Sequence, residues 1–113
     1  MKENKLKRVI IESPYAGKIK RNIEYAKMCM IDSLSRDEAP IASHLLYTQV
    51  LDDNNPMQRG SGIEAGLAWL EVAEAHVFYI DYGYSFGMLE AKKRSEEAGR
   101  KIEERMILKY GKK

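Results

Sequence analysis

"LKRVIIESPYAGK", residues 6–18, is the stretch on which the fold turns. Val9, Ile10 and Ile11 make a short β-branched run that stops at Ser13 and Pro14. An apolar run of that length between turn signals reads as a buried strand. Pro14 and Gly17 then punctuate a turn. Residues 18–35 set Ile19, Ile23, Ala26, Met30 and Leu34 at helical spacing, the pattern of a long amphipathic helix.

The alternation continues along the chain. "APIAS", 39–43, reads as a second strand, and "HLLYTQVLDDNNP" as a long connection with a turn cluster from Asp52 to Pro56. Pro56 suits the first position of a helix, with Asn54 or Asn55 as its cap. That helix runs through "MQRGSGIEAGLAWLEVAEA", where the early Gly60 and Gly62 weaken it and permit a close approach. "HVFYID", 76–81, is a third strand, followed by "YGYSFG" and a helix from about Ser85 to Ala98. Gly99 ends this helix, and "RKIEERMIL" offers a short fourth strand with the alternating charge of a sheet edge. The order βαβαβαβ implies an α/β domain with a parallel sheet, right-handed crossovers and helices on both faces. Four strands are accounted for, and a fifth is left open.

In such sheets ligands bind beyond the carboxyl ends of the strands. The loops 13–17, 43–48 and 81–87 are selected on that ground alone. The first, Ser13, Pro14, Tyr15, Ala16 and Gly17, offers a hydroxyl, backbone amides and a helix start to a phosphate or a ribose. Tyr15 can stack on a base or close over a sugar. The second offers His44, as a general acid or phosphate contact, and Tyr47. In the third, Asp81 ends a strand, Gly83 and Gly87 let a ligand approach the backbone, and Ser85 caps a helix that continues through Met88. Glu90 lies one turn into that helix. A buried glutamate there can attack an anomeric carbon or hold ribose hydroxyls, and an exposed one is an ordinary surface residue. Arg59 has the planar fork that fits a phosphate.

Composition narrows the classes. The 113 residues make one compact domain, 1–113, with 44% hydrophobic residues. A domain so small gains from self-association. With 19 basic and 17 acidic side chains the net charge of +2 gives no argument for nucleic acid. The basic residues cluster at the two ends, as solvated surface or as an attraction for small anions. Cys29 is the only cysteine, so no disulfide forms within the chain and no cysteine-based zinc site exists. It sits in the apolar "AKMCMI" and reads as a buried structural thiol. His44 and His76 lack paired carboxylate spacing, so no metal site is expected, and His76 reads as structural. Trp69, among Leu67, Leu70 and Val72, reads as core or as a subunit interface. No apolar run approaches 18 residues and no signal-peptide pattern opens the chain, so a cytoplasmic protein without a membrane partner is expected.

Four stretches carry a family resemblance: "SPYAG", "HLLYTQVLDD", "RGSGIEAGLAWLEVAEAHVFY" and "YGYSFGM". Together they resemble a small phage and bacterial domain family related to nucleoside 2-deoxyribosyltransferases. The resemblance implies a flavodoxin-like three-layer sandwich, assembled as a homodimer or higher oligomer. It implies a pocket for a nucleoside, a nucleotide or an NAD-derived molecule, and no cofactor. In the transferases a helix glutamate attacks the anomeric carbon and the base leaves. Glu90 falls near that position. With the register held by Gly87 and Gly99, Ala91 takes it instead, and one residue is a rotation of about 100° on a helix.

Three functions follow from different classes. One is N-glycosidic cleavage or transfer, with Glu90 as nucleophile or ribose-orienting group and Asp81 or His44 assisting the departing base. The second is a binding protein that sequesters a nucleotide immune signal, an anti-defence role in a phage. The third is a protein–protein adaptor without a working pocket.

Overall fold

A computed structural model describes residues 5–108. Its elements are β1 (Lys7–Glu12), α1 (Ile19–Ser35), β2 (Glu38–Ile41), α2 (Ser43–Leu46), α3 (Pro56–Ala68), β3 (Ala75–Tyr79), α4 (Phe86–Glu97) and β4 (Ile102–Arg105). The four strands form one parallel sheet in the order β2-β1-β3-β4. This is the flavodoxin-like order, in which the chain steps one way from β1 and then the other. The basic residues of segments 1–4 and 109–113 lie outside the described residues.

Strand alternation divides the core in two. Val9, Ile11, Val77 and Tyr79 face α1 and pack with Tyr25 and Cys29. Phe78 faces the other way and packs with Met88 and Ala91 of α4 and with Leu67 of α3. A helix thus covers each side of the sheet, giving three layers. All five residues of β3 are buried, as a strand covered on both faces requires.

The buried face of α1 is only partly the one its aliphatic spacing suggests: Ala26 is buried and Met30 packs on the core. Asn22, Tyr25, Ala26, Cys29 and Ser33 point inward, while Ile19 and Leu34 are exposed. Polar side chains are tolerated there because each has a partner. Asn22 Nδ2 donates to the carbonyls of Tyr15 and Ala16. The Tyr25 hydroxyl donates to Asp81, and Ser33 donates to Glu38. Cys29 is fully buried and apolar surroundings push its thiol up to about 12, which leaves it unreactive.

Two other elements depart from the sequence pattern. The segment after β2 coils into α2 and a 3-10 turn, Tyr47–Gln49, instead of running as an open connection. It docks on α3 at Gly66, where an added methyl group would stand 2.5 Å from Ser43 Oγ. Gly62 also meets a neighbour, Leu51 Cδ1 at 3.3 Å, whereas Gly60 faces open space. Helix α3, capped by Asn55, stops at Ala68. Sheet pairing of Ala75 with Val9 pulls the following residues out of the helix their propensity favours.

The α1 side of the sheet carries a buried ion cluster. Arg105 Nη2 donates to Glu38 at 2.7 Å and to Glu103 at 2.9 Å, and Arg105 Nη1 reaches the Tyr79 hydroxyl. The Arg105 and Glu38 side chains are only 8% and 6% exposed. Hydrogen bonding to Arg105 lowers the Glu38 carboxyl and brings Glu103 down to about 2. Removing one partner strands the other charge in a dry site. Arg105→Met should therefore cost about 3 kcal/mol, measured as a lower urea midpoint at pH 7. A change within experimental error would show that the cluster contributes nothing net.

Candidate functional site

Strands β1 and β3 are neighbours, yet the chain leaves β1 for α1 on one side and β3 for α4 on the other. A crevice opens between the two departing loops. Here it is a cavity of about 170 Å³, walled by the end of β1, by α2, by the first turns of α3 and by the start of α4. The loop after β1 supplies Ser13, Tyr15 and Ala16. It is held from below by the two Asn22 bonds to the carbonyls of residues 15 and 16.

Helix α4 begins at this cavity because Ser85 caps it. The Ser85 hydroxyl accepts from Met88 N, and Ser85 N donates to Met88 Sδ. Gly83, with φ of 79°, makes the preceding turn that a side chain would strain. The N–H groups of Phe86 and Gly87 have no partner among the described residues. Arg59 approaches the same turn, its Nη2 3.8 Å from where a methyl group on Gly87 would stand. A guanidinium beside a helix start is a place for an anion. In the free protein Arg59 leans on Asp53 across 3.7 Å, a loose and half-exposed pair.

The floor carries different chemistry. His44 Nε2 and Ser13 Oγ are 2.8 Å apart. His44 Nδ1 is buried without a partner. A buried N–H without an acceptor is the costlier orphan, so the proton belongs on Nε2, which donates to Ser13. The serine hydroxyl is then free to donate into the cavity. This is not a nucleophile–base arrangement, since no carboxylate orients His44 Nδ1. Burial lowers the His44 imidazole below its ordinary 6.5, against the pull of nearby Glu12.

The cavity gathers Ser13, Tyr15, Ala16, His44, Tyr47, Arg59, Ser85, Gly87 and Met88 from the three loops and two helices the sequence points to. Pro14, Gly17 and Gly83 shape those loops but do not line it. Asp81 is a clamp and not an acid–base group of the cavity. Its carboxylate accepts from the Tyr25 hydroxyl at 2.5 Å and from the backbone N–H groups of Ile107 and Leu108. Glu90 is exposed and borders an outer groove with Lys93 and Arg94. Ala91, one residue on, faces the cavity with Phe86 and Met88 of the same helix.

A family model described as a domain of unknown function (DUF7768) matches residues 7–105. The chain belongs to the DUF7768 family. No curated protein and no solved structure matches it. The DUF7768 match starts and stops with the outermost strand residues, Lys7 and Arg105, so it spans the whole sheet and every wall of the cavity.

Several cavity residues of this DUF7768 chain carry no motif signal. Thr48, whose hydroxyl donates to the His44 carbonyl, and Phe86, 85% exposed at the mouth, look like ordinary helix residues in the sequence. Glu12 is the important omission. It ends an apolar strand, and a charged residue closing a buried run was the available signal.

Because His44 is held below 6.5, the unfolded chain takes up a proton first as the pH falls. The contribution of His44 is complete above pH 6.5 and is lost as pH falls through the lower folded-state value. Urea midpoints should drop between pH 7 and pH 5, and His44→Gln should flatten that slope. The carboxylates of the Arg105 cluster act only below 4.5, their ordinary value, so the two windows separate. Equal slopes for both proteins would refute the assignment.

Proposed function

We propose that this chain binds a small sugar-bearing anion, a nucleotide or NAD-derived molecule, in the crevice between β1 and β3. We further propose that it holds this ligand intact. Arg59 seated against Gly87 at the open start of α4, on the rim of a cavity with hydroxyl and aromatic walls, is the observation that carries the reading. Phosphate oxygens suit the guanidinium and the free N–H groups. Tyr15 and Tyr47 offer ring faces for a base or sugar. The resemblance of four sequence stretches to a small domain family related to nucleoside 2-deoxyribosyltransferases favours the same ligand class.

Holding is favoured over glycosidic cleavage by the rotation of α4. A nucleophile must reach within about 3–3.5 Å of the reacting carbon. Glu90 lies on the exposed side with Lys93 and Arg94, and the helix presents Ala91 to the cavity. A pocket that keeps recognition without a helix carboxylate suits sequestration of a nucleotide signal, with phage anti-defence as one setting for it.

The test is mass spectrometry after incubation with nucleosides, nucleotides, NAD and ADP-ribose, first on the supernatant and then on ligand released by heating. The expected result is intact nucleotide recovered only after heating. Arg59→Gln should weaken retention by about tenfold or more, Asp53→Asn should strengthen it by freeing Arg59, and Glu90→Gln should leave it unchanged. A new base or sugar product, lost in Glu90→Gln, would overturn the holding mechanism. No retained nucleotide would overturn the ligand class.

A further inference from the structure

We propose that Glu12 is the carboxylate with which this cavity holds a ligand's sugar hydroxyls, that His76 aims it, and that the site therefore selects ribose over 2′-deoxyribose. The inference rests on the sugar-bearing ligand proposed above and names the part of it that is read.

Glu12 is the last residue of β1 and lines the cavity floor. Its side chain is 13% exposed, so it is neither a surface group nor a sealed one. Oε2 is 2.8 Å from His76 Nε2. His76 stands on β3, is fully buried, and packs on the Phe78 ring at 4.5 Å. Its other nitrogen, Nδ1, is buried with no partner. The proton therefore belongs on Nε2, which donates to Glu12, by the same reasoning that assigns His44. One carboxylate oxygen is fixed from behind, and Oε1, without a partner among the described residues, is left to the cavity.

A carboxylate carried by a strand and locked by a buried imidazole is a costly thing to place in a small domain. It is not needed to join β1 to β3, which the backbone ladder already does. It supplies what the cavity otherwise lacks. Of the acids around the crevice, Asp81 is filled by the 107–108 backbone, Glu90 lies outside, and Asp53 leans on Arg59. Next to Glu12, Ser13 presents its hydroxyl proton. An acceptor and a donor on consecutive residues match a vicinal diol, in which each hydroxyl both gives and takes. A site built to hydrogen-bond a hydroxyl strongly rejects the analogue that lacks it, because its buried polar groups are then left unpaired.

The experiment is isothermal titration of the full chain with ADP-ribose and with the four ribonucleoside monophosphates and their 2′-deoxy counterparts. The ribo forms should bind at least tenfold more tightly than the deoxy forms. Glu12→Gln should lower ribo affinity about tenfold to a hundredfold, the range for a hydrogen bond to a charged group. Its deoxy affinity should be unchanged or tighter, since a negative charge in a cavity that takes an anionic ligand is gone. His76→Phe removes the donor at similar volume and should erode the same ribo-to-deoxy ratio, while His76→Gln, which keeps an N–H at the Nε2 position, should restore it. A purely structural His76 would change stability and leave the ratio alone. Should His76→Phe fail to fold, Glu12→Gln decides. Equal ribo and deoxy binding in the wild type, with Arg59→Gln still weakening both, overturns the role of Glu12 and leaves the ligand class standing. Failure of every nucleotide to bind overturns both.

Discussion

Two adjacent parallel strands whose chains leave toward opposite faces cannot close the space above them, and everything else in this protein is arranged around that gap. The order β2-β1-β3-β4 places it between β1 and β3. On one rim, the loop after β1 must turn toward α1. On the other, the loop after β3 must turn toward α4. Helix α2 and the first turns of α3 wall what remains into a cavity. The close approach of α2 to α3 at Gly66 sets one side of it, since Ser43, which touches Gly66, also faces the cavity.

A small sheet gives these loops little apolar surface on which to rest, and polar side chains fix them instead. Asn22 ties the first loop by two carbonyls. Asp81 ties the chain beyond β4 to the end of β3 by two N–H groups and to α1 by Tyr25. Arg105 joins β4 to β2, the opposite sheet edge, through Glu38. Each anchor has several partners, and a buried polar group must be paired if it is to stabilise and not to cost. The exceptions are informative for that reason. The buried nitrogens left over belong to His44 and His76 among others, and both imidazoles spend their remaining nitrogen on a residue of the cavity floor.

The sheet was legible because its strands are short β-branched runs between turn residues, and hydrophobic period and turn chemistry are local. The caps at Asn55 and Ser85 were legible for the same reason. Three features were not local. The inward face of α1 depends on partners as far away as Asp81. The end of α3 depends on where Ala75 must pair. The direction of Glu90 depends on a rotation that Ser85, by capping at that residue and no other, fixes. The loops around the site could thus be located from sequence, together with nine residues of the cavity wall, while its acidic group could not. Asp81 and Glu90 stand where the sequence reading looks for a carboxylate, but Asp81 anchors the 107–108 backbone and Glu90 is exposed, and neither lines the cavity.

Charge then limits what can occupy the cavity. Glu12 on the floor repels a simple anion, and Arg59 at the rim, 41% exposed, repels a simple cation. The proposed ligand suits both, with hydroxyls to donate at one end and negative oxygens to displace Asp53 from Arg59 at the other. The difference in exposure orients it. The less exposed carboxylate lies in a medium where a hydrogen bond to charge is strongest, so the neutral, hydroxyl-bearing part enters first. A phosphate, costly to strip of water, would then stay at the rim, beside the start of α4 and a half-solvated guanidinium. In the proposed orientation the glycosidic carbon would lie toward Ser13 and Glu12 and away from α4, so a glutamate facing inward from position 91 would meet the phosphate end. The fold keeps the crevice of its class, and the carboxylate that lines it stands on the strand, at Glu12, and not on the helix, which is the arrangement the proposed holding function rests on.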